Sequence, residues 1–325
     1  GDDNNDVLQV DNLAADLEAD GDFGSVYAGQ LDINLKENAG TDGVVNIDTG
    51  SDDTSVTTRN GSEAVINAFY MGSSTTLGLD GTSDITVNNA GNITVDGSSD
   101  LGFDAGTNNL TDDLFVNTKS GASTTVITGA EGTTIDGANG NITVDALALG
   151  DTTSEGDSTR LTLDGSNNYT VSNLQSDIAA GSSSGTLDIT TISDADAGGD
   201  ADLIDITAGT GDIRLRATED DSLVTVDASN QTSGQVIDTG GSGDVIVTNV
   251  GSNLSINASG VNTAGSVPIL TGDLTVNTVD GESNVSIDTG SGVTTVNTNT
   301  TGGSQSGSVF IDADKLGDGD GSLSA

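Results

Sequence analysis

The stretch Asn92-Ile93-Thr94-Val95-Asp96-Gly97 contains the pattern that decides the fold. Two β-branched apolar residues alternate with a hydroxyl residue, Asp or Asn stands at each end, and Gly follows. A period of two places alternate side chains on opposite faces of a strand, so one face is apolar and the other is polar. The stretch therefore predicts a short, half-buried β-strand that ends in a turn.

The same pattern recurs along the chain. Further copies are Asp84–Asn88, Asn141–Asp145, Asp212–Leu215, Asp244–Val247, Asn253–Asn257 and Asp273–Asn277. In the denser stretches the strands return about every 8–12 residues, with Gly, Asp, Asn or Ser between them, which is typical of an all-β protein. Residues 7–17 and 174–180 are the only stretches whose pattern allows a turn or two of helix.

Two all-β architectures fit this spacing. A sandwich of immunoglobulin type has a large aromatic in its core and usually several prolines, whereas this chain has one Pro and no Trp. A solenoid has a thin interior that stacked Val, Ile, Leu and Ala can fill. We therefore predict an elongated parallel β-helix (β-solenoid) of short strands with Asp/Gly-rich turns and coils of roughly 20–30 residues. Tandem β-sandwich domains are the alternative.

The predicted organisation has three parts. Residues 1–75 form an N-terminal cap or small β region, residues 76–310 form the solenoid repeats, and residues 311–325 form an acidic, Gly/Asp-rich C-terminal segment.

The composition excludes catalytic mechanisms and metal sites that depend on His or Cys. The chain of 325 residues has 51 acidic and 7 basic side chains, a formal net charge of −44, and neither His nor Cys. No imidazole base or thiolate nucleophile is therefore present, and the usual zinc ligands are missing. Such a negative chain repels nucleic acid, and it has no apolar run long enough to cross a membrane. We expect a non-enzymatic protein with no nucleic-acid partner and no membrane insertion.

The acidity has an unusual composition, because only 7 of the acidic residues are Glu. Asp is favoured over Glu where a short side chain caps a turn or reaches a cation from a tight loop. The sequence therefore predicts that the acidic residues lie in turns. Because −44 charges repel one another, we also expect bound cations, with Ca²⁺ as the best candidate.

Two stretches concentrate carboxylates. They contain Asp194, Asp196, Asp200 and Asp202, and Asp312, Asp314, Asp318 and Asp320. Ca²⁺ binds six to eight oxygens, which alternate Asp residues and backbone carbonyls of Gly-rich loops can supply. Neither stretch matches the EF-hand loop. We predict these eight aspartates as Ca²⁺ ligands, and the alternative is a solvated acidic loop or terminus.

An aspartic protease is the main enzymatic alternative. The triplets Asp48-Thr49-Gly50, Asp238-Thr239-Gly240 and Asp288-Thr289-Gly290 each follow an Ile, as the catalytic triplets of pepsin-like enzymes do. The same strand-end pattern recurs without Thr at Asp80-Gly81 and Asp96-Gly97. A motif this frequent indicates strand-ending turns, so we predict no catalytic residues.

Long side chains concentrate near the N-terminus. They are Phe23, Tyr27, Phe69, Tyr70 and Met71. We expect them to cap the first coils or to fill a broader N-terminal core, and the alternative is a patch for contact between subunits.

Some strand segments resemble the repeats of known surface proteins. Gly91–Val95, Gly211–Leu215 and Gly243–Val247 are similar to the strand repeats of bacterial S-layer proteins and filamentous-haemagglutinin-like adhesins. Residues 240–246 approach the RTX nonapeptide GGxGxDxUx, but they lack one residue before the Asp and are not repeated in tandem. The resemblance implies an extracellular, assembling or adhesive protein that Ca²⁺ often stabilises.

These observations lead to one expected function. The chain is expected to be an extracellular structural protein, a self-assembling subunit of a cell-surface layer or fibre that cations in Asp-rich turns stabilise. Its expected partners are copies of itself and cell-surface polysaccharide. The alternative is an adhesin or carbohydrate-binding stalk of a larger surface protein.

Overall fold

The computed structural model contains two compact units. Unit 1 comprises Gly1–Gly150 with Arg160–Thr162, and unit 2 comprises Asp151–Thr159 with Leu163–Ala325. The structure describes residues 7–13, 17–18, 30–36, 44–59, 62–98, 110–149, 161–192, 203–218, 222–251, 253–260, 267–279, 284–298, 308–313 and 323–324.

Unit 1 is a parallel β-solenoid. Its strands are β1 (Val7–Leu13), β2 (Leu17–Glu18), β3 (Gln30–Leu35), β4 (Val44–Asp48), β5 (Thr54–Thr57), β6 (Glu63–Asn67), β7 (Thr76–Asp80), β8 (Ile85–Ala90), β9 (Thr94–Asp96), β10 (Leu114–Thr118), β11 (Ser123–Ile127), β12 (Thr133–Asp136) and β13 (Asn141–Asp145). The odd-numbered strands form one parallel sheet and the even-numbered strands form the other. Each coil therefore contributes one strand to each sheet. A 3₁₀ turn at Leu147–Leu149 follows, and the boundary between the units passes through β14 (Leu161–Leu163).

Unit 2 has the same construction. Its strands are β15 (Asn168–Leu174), β16 (Ile178–Ala179), β17 (Leu187–Thr191), β18 (Leu203–Thr207), β19 (Ile213–Ala217), β20 (Leu223–Asp227), β21 (Val236–Gly241), β22 (Asp244–Val250), β23 (Ser255–Asn257), β24 (Leu274–Thr278), β25 (Val285–Asp288), β26 (Thr294–Thr298), β27 (Val309–Asp312) and β28 (Leu323–Ser324). Odd and even strands again alternate between two parallel sheets.

The interior of each unit consists of columns of small aliphatic side chains. In unit 1 one buried column contains Leu31, Thr54, Leu77, Val95, Val126 and Val144. In unit 2 the matching column contains Leu187, Ile213, Ile237, Ile256 and Ile287. Burial of each aliphatic side chain is worth roughly 1.5–3 kcal/mol, so the stacked columns stabilise a fold that lacks a wide core.

The predicted parallel β-solenoid is therefore confirmed, and the tandem-sandwich alternative is wrong. Residues that pair in neighbouring coils are separated by 18 residues at Ser123 and Asn141 and by 31 residues at Thr94 and Thr125. The helical turns allowed for residues 7–17 and 174–180 are also wrong, because β1, β2, β15 and β16 lie there and pair with strands of the next coil. Strands of the solenoid begin at Val7, within the predicted N-terminal region. The predicted boundaries of the three parts at residues 75 and 310 stay predictions.

The two units repeat the same plan, strand by strand from β1–β14 to β15–β28. Backbone conformations support the correspondence at three positions, where residues with positive φ are spaced 160 positions apart. The pairs are Ser74 and Gly234, Gly81 and Gly241, and Asn89 and Asn249. Thr111 and Thr271 likewise donate their backbone N–H groups to Gly81 and Gly241. The described residues thus form two copies of one seven-coil module, a repeat that the sequence pattern did not reveal.

Glycines stack where neighbouring coils approach most closely. Gly185 and Gly211 each lie two residues before a strand, β17 and β19, whose first residues Leu187 and Ile213 pair in register. A Cβ atom at Gly211 would lie 1.9 Å from the Gly185 carbonyl oxygen, a distance that no side chain tolerates. These glycines are required because the backbone of the previous coil occupies the space of a side chain.

We expect Gly211→Ala to destabilise unit 2 by about 1–3 kcal/mol, because the coils must separate locally. The matched control is Gly91→Ala, since the nearest atom to a Cβ there lies at 3.8 Å. Urea unfolding followed by circular dichroism measures both variants. Equal stabilities for the two variants would contradict the coil spacing described here.

Candidate functional site: aspartate and asparagine ladders

An Asp or Asn that precedes or begins a strand accepts a hydrogen bond from the next coil. Asp212 Oδ1 accepts the Val236 N–H at 3.0 Å, and Asp273 Oδ1 accepts the Val293 N–H at 2.9 Å. The same bond joins Asp53 to Thr76, Asp84 to Asp113, Asn92 to Ser123, Asn168 to Thr186, Asp177 to Asp205, Asp244 to Asp273 and Asn284 to Ser308. We call this set the strand-start ladder.

The Asp or Asn that ends a strand caps the turn that follows. Asp96 Oδ1 accepts both the N–H and the hydroxyl of Ser98 at 3.0 Å, and Asp227 Oδ1 accepts the Ser229 N–H at 2.9 Å. The same i to i+2 bond forms at Asn67, Asp145 and Asn257. These bonds are Asx turns, and they need a side chain as short as Asp or Asn. The predicted placement of acidic residues in turns is confirmed at these positions.

Amide groups also connect the strand ends of successive coils. Asn67 donates from Nδ2 to Asp48 Oδ1 at 2.7 Å, and Asn89 donates to Asn67 Oδ1 at 2.9 Å. The remaining pairs, donor first, are Asn117 and Asn88, Asn249 and Asp227, Asn257 and Asp238, and Asn297 and Asn277. An Asn between two acidic residues separates their charges, which reduces repulsion along the column.

Most of the predicted Ca²⁺ ligands lie outside the described residues. These are Asp194, Asp196, Asp200, Asp202, Asp314, Asp318 and Asp320. Asp312 is described: it ends β27, is exposed, and stacks in register on Asp288 of β25. Among the described residues, no group of three or more acidic side chains is arranged to hold a metal ion. Ca²⁺ binding by the eight aspartates stays a prediction.

The protease-like triplets of unit 2 do not bring their carboxylates together. Asn257 lies between Asp238 and Asp288 in the column, so the two aspartates are two coils apart. Strand spacing is about 4.8 Å, which places them roughly 10 Å apart, whereas an aspartic protease needs two carboxyl groups that share one proton. Asp48 belongs to unit 1 and accepts a hydrogen bond from Asn67.

One carboxyl group of unit 1 has a strongly shifted pKa. Burial, a hydrogen bond with Asp112 and the nearby charges of Asp112 and Asp113 raise the pKa of Asp84 to about 6. The Asp113 N–H bond to Asp84 opposes the shift. In unit 2 the equivalent positions are Asp244 and Gly272, so the extra carboxyl group is specific to unit 1.

Two other ladder residues have shifted pKa values. Burial raises the pKa of Asp177, and the negative charge of Asp205 adds to that effect. Burial also acts to raise the pKa of Asp227, but hydrogen bonds from Asn249 and Ser229 outweigh it and lower the pKa. Hydrogen bonding thus stabilises the charged form of Asp227.

Arg216 forms an ion pair that sequence reasoning missed. Its guanidinium contacts the Asp188 carboxylate of the preceding coil through both terminal nitrogens. Arg214, on the same face of β19, stands in register between Asp188 and Asp238. The alternating pattern Ile213-Arg214-Leu215-Arg216 signals an outward basic face, but only coil register could identify the acidic partners.

Phe69 and Tyr70 are exposed on the surface of unit 1. Their side chains are 51% and 42% exposed, whereas Met71 beside them is buried. The expectation that these two rings fill a core or cap a coil is therefore wrong, because they stand at the tip of a turn after β6. Phe23 and Tyr27 lie outside the described residues.

Comparisons with known proteins give no match to a family model, to a curated protein or to a solved structure. Within the part of the chain that the structure describes, no helix has the length and apolar character needed to span a membrane. The resemblance to S-layer and haemagglutinin-like repeats stays a prediction.

Asp212→Ala removes the acceptor of the Val236 N–H. We expect a loss of about 1–3 kcal/mol in the free energy of unfolding, because the amide is left without its partner. Asp212→Asn keeps an acceptor oxygen and should lose less than half as much. Asp136→Ala, at an exposed residue, serves as the control and should change stability by no more than about 0.5 kcal/mol. Equal losses for the Ala and Asn variants, measured by urea unfolding, would refute the ladder bond.

Asp84→Asn tests the shifted carboxyl group. Because its pKa is raised from 3.8 to about 6 in the folded protein, the stability that the protonated group contributes is lost as pH rises through that range. We expect the variant to be more stable than the wild type at neutral pH, by at most about 1 kcal/mol after solvent screening, and unchanged in acid. Asp244→Asn is the matched control without the second carboxyl group. An identical pH dependence of urea midpoints in wild type and Asp84→Asn would contradict the assignment.

Proposed function

We propose that this chain is an extracellular structural protein, a self-assembling subunit of a cell-surface layer or fibre. It has no catalytic role, and divalent cations bound by its Asp-rich turns stabilise it. Its main partners are further copies of the same chain.

The strand-start ladder is the observation that carries this proposal. In the ladder the carboxylate and amide side chains accept hydrogen bonds that join one coil to the next. Asp244 and Asp273 illustrate the arrangement, since each accepts a hydrogen bond from a backbone N–H group of the coil that follows. Polar side chains that serve to join successive coils are consistent with a structural role for the protein. The second copy of the seven-coil module supports it further.

The large negative net charge means that copies of the chain need cations in order to assemble. Two copies that each carry a formal charge of −44 repel one another unless cations lie between them. Ca²⁺ is suited to this position because it binds carboxylates from separate chains without strict geometry. The stacking of exposed Asp312 on Asp288 gives one place where a cation would relieve repulsion within a single chain.

Millimolar CaCl₂ should convert the purified chain into sheets or filaments, seen by sedimentation velocity and negative-stain microscopy. EGTA should reverse the change, and NaCl at the same ionic strength should not reproduce it. Binding should also raise the free energy of unfolding by about 1.4 kcal/mol at a tenfold excess over the Kd. A chain that stays monomeric in every buffer would refute self-assembly.

Charge-neutral variants identify the binding residues. One variant replaces Asp194, Asp196, Asp200 and Asp202 by Asn, and another replaces Asp312, Asp314, Asp318 and Asp320 by Asn. The control replaces exposed Glu63 and Glu131 by Gln, and exposed Asp136 and Asp205 by Asn, which removes the same number of charges. Only the first two variants should need more Ca²⁺ for the same stabilisation. An equal effect of the control would reduce the role of Ca²⁺ to general screening.

A further inference from the structure

Three side chains form an aromatic corner on unit 1, defined here as Phe69, Tyr70 and Lys119. The two rings meet edge to face, with centroids 5.1 Å apart and planes at 81°. Lys119 Nζ lies 4.2 Å from the centroid of the Phe69 ring and donates a hydrogen bond to the Phe69 carbonyl at 2.5 Å. The cation–π contact and the hydrogen bond favour one orientation of the Phe69 ring, against which the Tyr70 ring packs edge to face.

Unit 2 builds the same turn without any of these side chains. The positions equivalent to Phe69 and Tyr70 are Ser229 and Asn230, and Val279 replaces Lys119. The lysine positions correspond because the Lys119 and Val279 N–H groups donate to Ala90 and Val250, which are themselves equivalent.

Backbone hydrogen bonds show that the two turns have the same conformation. The Met71 N–H donates to the Ala68 carbonyl in unit 1, and the Gln231 N–H donates to the Ala228 carbonyl in unit 2. Asn67 and Asp227, at the start of the two turns, cap the amides at the tip in the same way. The same turn therefore forms in unit 2 without aromatic side chains, with Asn230 in the place of Tyr70 donating from Nδ2 to the Ala208 carbonyl at 3.0 Å.

Exposed aromatic rings are unusual in a chain that has so few aromatic residues. The whole chain has only 3 Tyr and 5 Phe, and a large ring in water at the tip of a turn forgoes the free energy that burial would give. Rings that are exposed, oriented by a neighbour and unnecessary for the fold indicate a binding surface.

Charge restricts the ligand. The chain carries a net charge of −44, and Lys119 is already directed at Phe69, so phosphates, sulfates and acidic polymers are repelled. A stable protein interface buries about 800 Å² on each partner, far more than two rings provide. A neutral ligand that binds to a narrow strip of surface fits better.

Amide groups lie along the strand ends next to the rings. Asn67 precedes Phe69 by two residues and receives a hydrogen bond from exposed Asn89. Exposed Asn117, two residues before Lys119, donates to Asn88 at 2.9 Å. Amides offer both donors and acceptors, which suit hydroxyl groups, and ring faces suit the apolar C–H face of a pyranose sugar.

We propose that the aromatic corner of unit 1 binds a neutral polysaccharide, with sugar rings against Phe69 and Tyr70 and sugar hydroxyls against the neighbouring Asn amides. This locates the carbohydrate-binding role that the sequence left as an alternative. It does not depend on self-assembly, so either proposal can fail alone.

Affinity electrophoresis of the full chain in EGTA tests the site, because the chelator keeps assembly out of the measurement. Gels containing soluble glucan, mannan or galactan should retard the wild type with at least one of these neutral polymers, whereas heparin and polygalacturonate should not. The Phe69→Ser/Tyr70→Asn variant, which copies unit 2, should bind about tenfold more weakly or not at all. Its thermal unfolding midpoint should match the wild type.

The reciprocal variant keeps the test independent of any loss of folding. Ser229→Phe/Asn230→Tyr/Val279→Lys places an aromatic corner on unit 2 and should increase the retardation. No retardation of the wild type by any neutral polymer would overturn the proposal. Retardation by anionic polymers alone, or equal retardation of the wild type and the Phe69→Ser/Tyr70→Asn variant, would also overturn it.

Discussion

The fold depends on one hydrogen bond, from a backbone N–H of one coil to an Asp or Asn side chain at the start of a strand in the coil before it. A solenoid leaves backbone groups at its corners, where no strand ladder can pair them, and an unpaired buried amide is costly. Asp212 and Asp273 supply the missing acceptors at two corners of unit 2. Among the described residues six members of this ladder are Asp, three are Asn and none is Glu, so the bond contributes to the excess of Asp over Glu.

The strands and turns could be predicted from the sequence, but the pairing of strands between coils could not. Asn92–Gly97 indicates a strand by its alternation and a turn by its Gly, and both conclusions follow from local chemistry. The partner of Asn92 lies 31 residues away at Ser123, and coils vary between 18 and 31 residues, so no fixed period links them. The seven-coil module has no clear sequence signal for the same reason, since its two copies share turn positions such as Gly81 and Gly241 while the lengths of their coils vary.

Candidate functional residues were harder to predict than strands. Asp312 could be related to Asp288 only after the register was known. The clustering of long side chains near the N-terminus predicts that Phe69 and Tyr70 cap the first coils or fill a core, and nothing local shows that their turn points outward. Comparison of the two units shows which side chains the backbone conformation requires, and a single copy cannot show this. At Phe69 and Ser229 the backbone is the same and the side chains differ, so the fold does not impose that difference. At Gly272 the fold does impose it, because a Cβ atom there would lie 2.2 Å from the Gly243 carbonyl oxygen, so a side chain like that of Asp112 has no room.

Residue-resolved amide hydrogen exchange of the chain tests the central claim most directly. The account predicts that the amides of Thr76, Val236 and Val293, whose acceptors are the side chains of Asp53, Asp212 and Asp273, exchange as slowly as amides within the neighbouring strands. Exchange of these three amides at the rate of an unstructured peptide, while the strand amides stay protected, would contradict it.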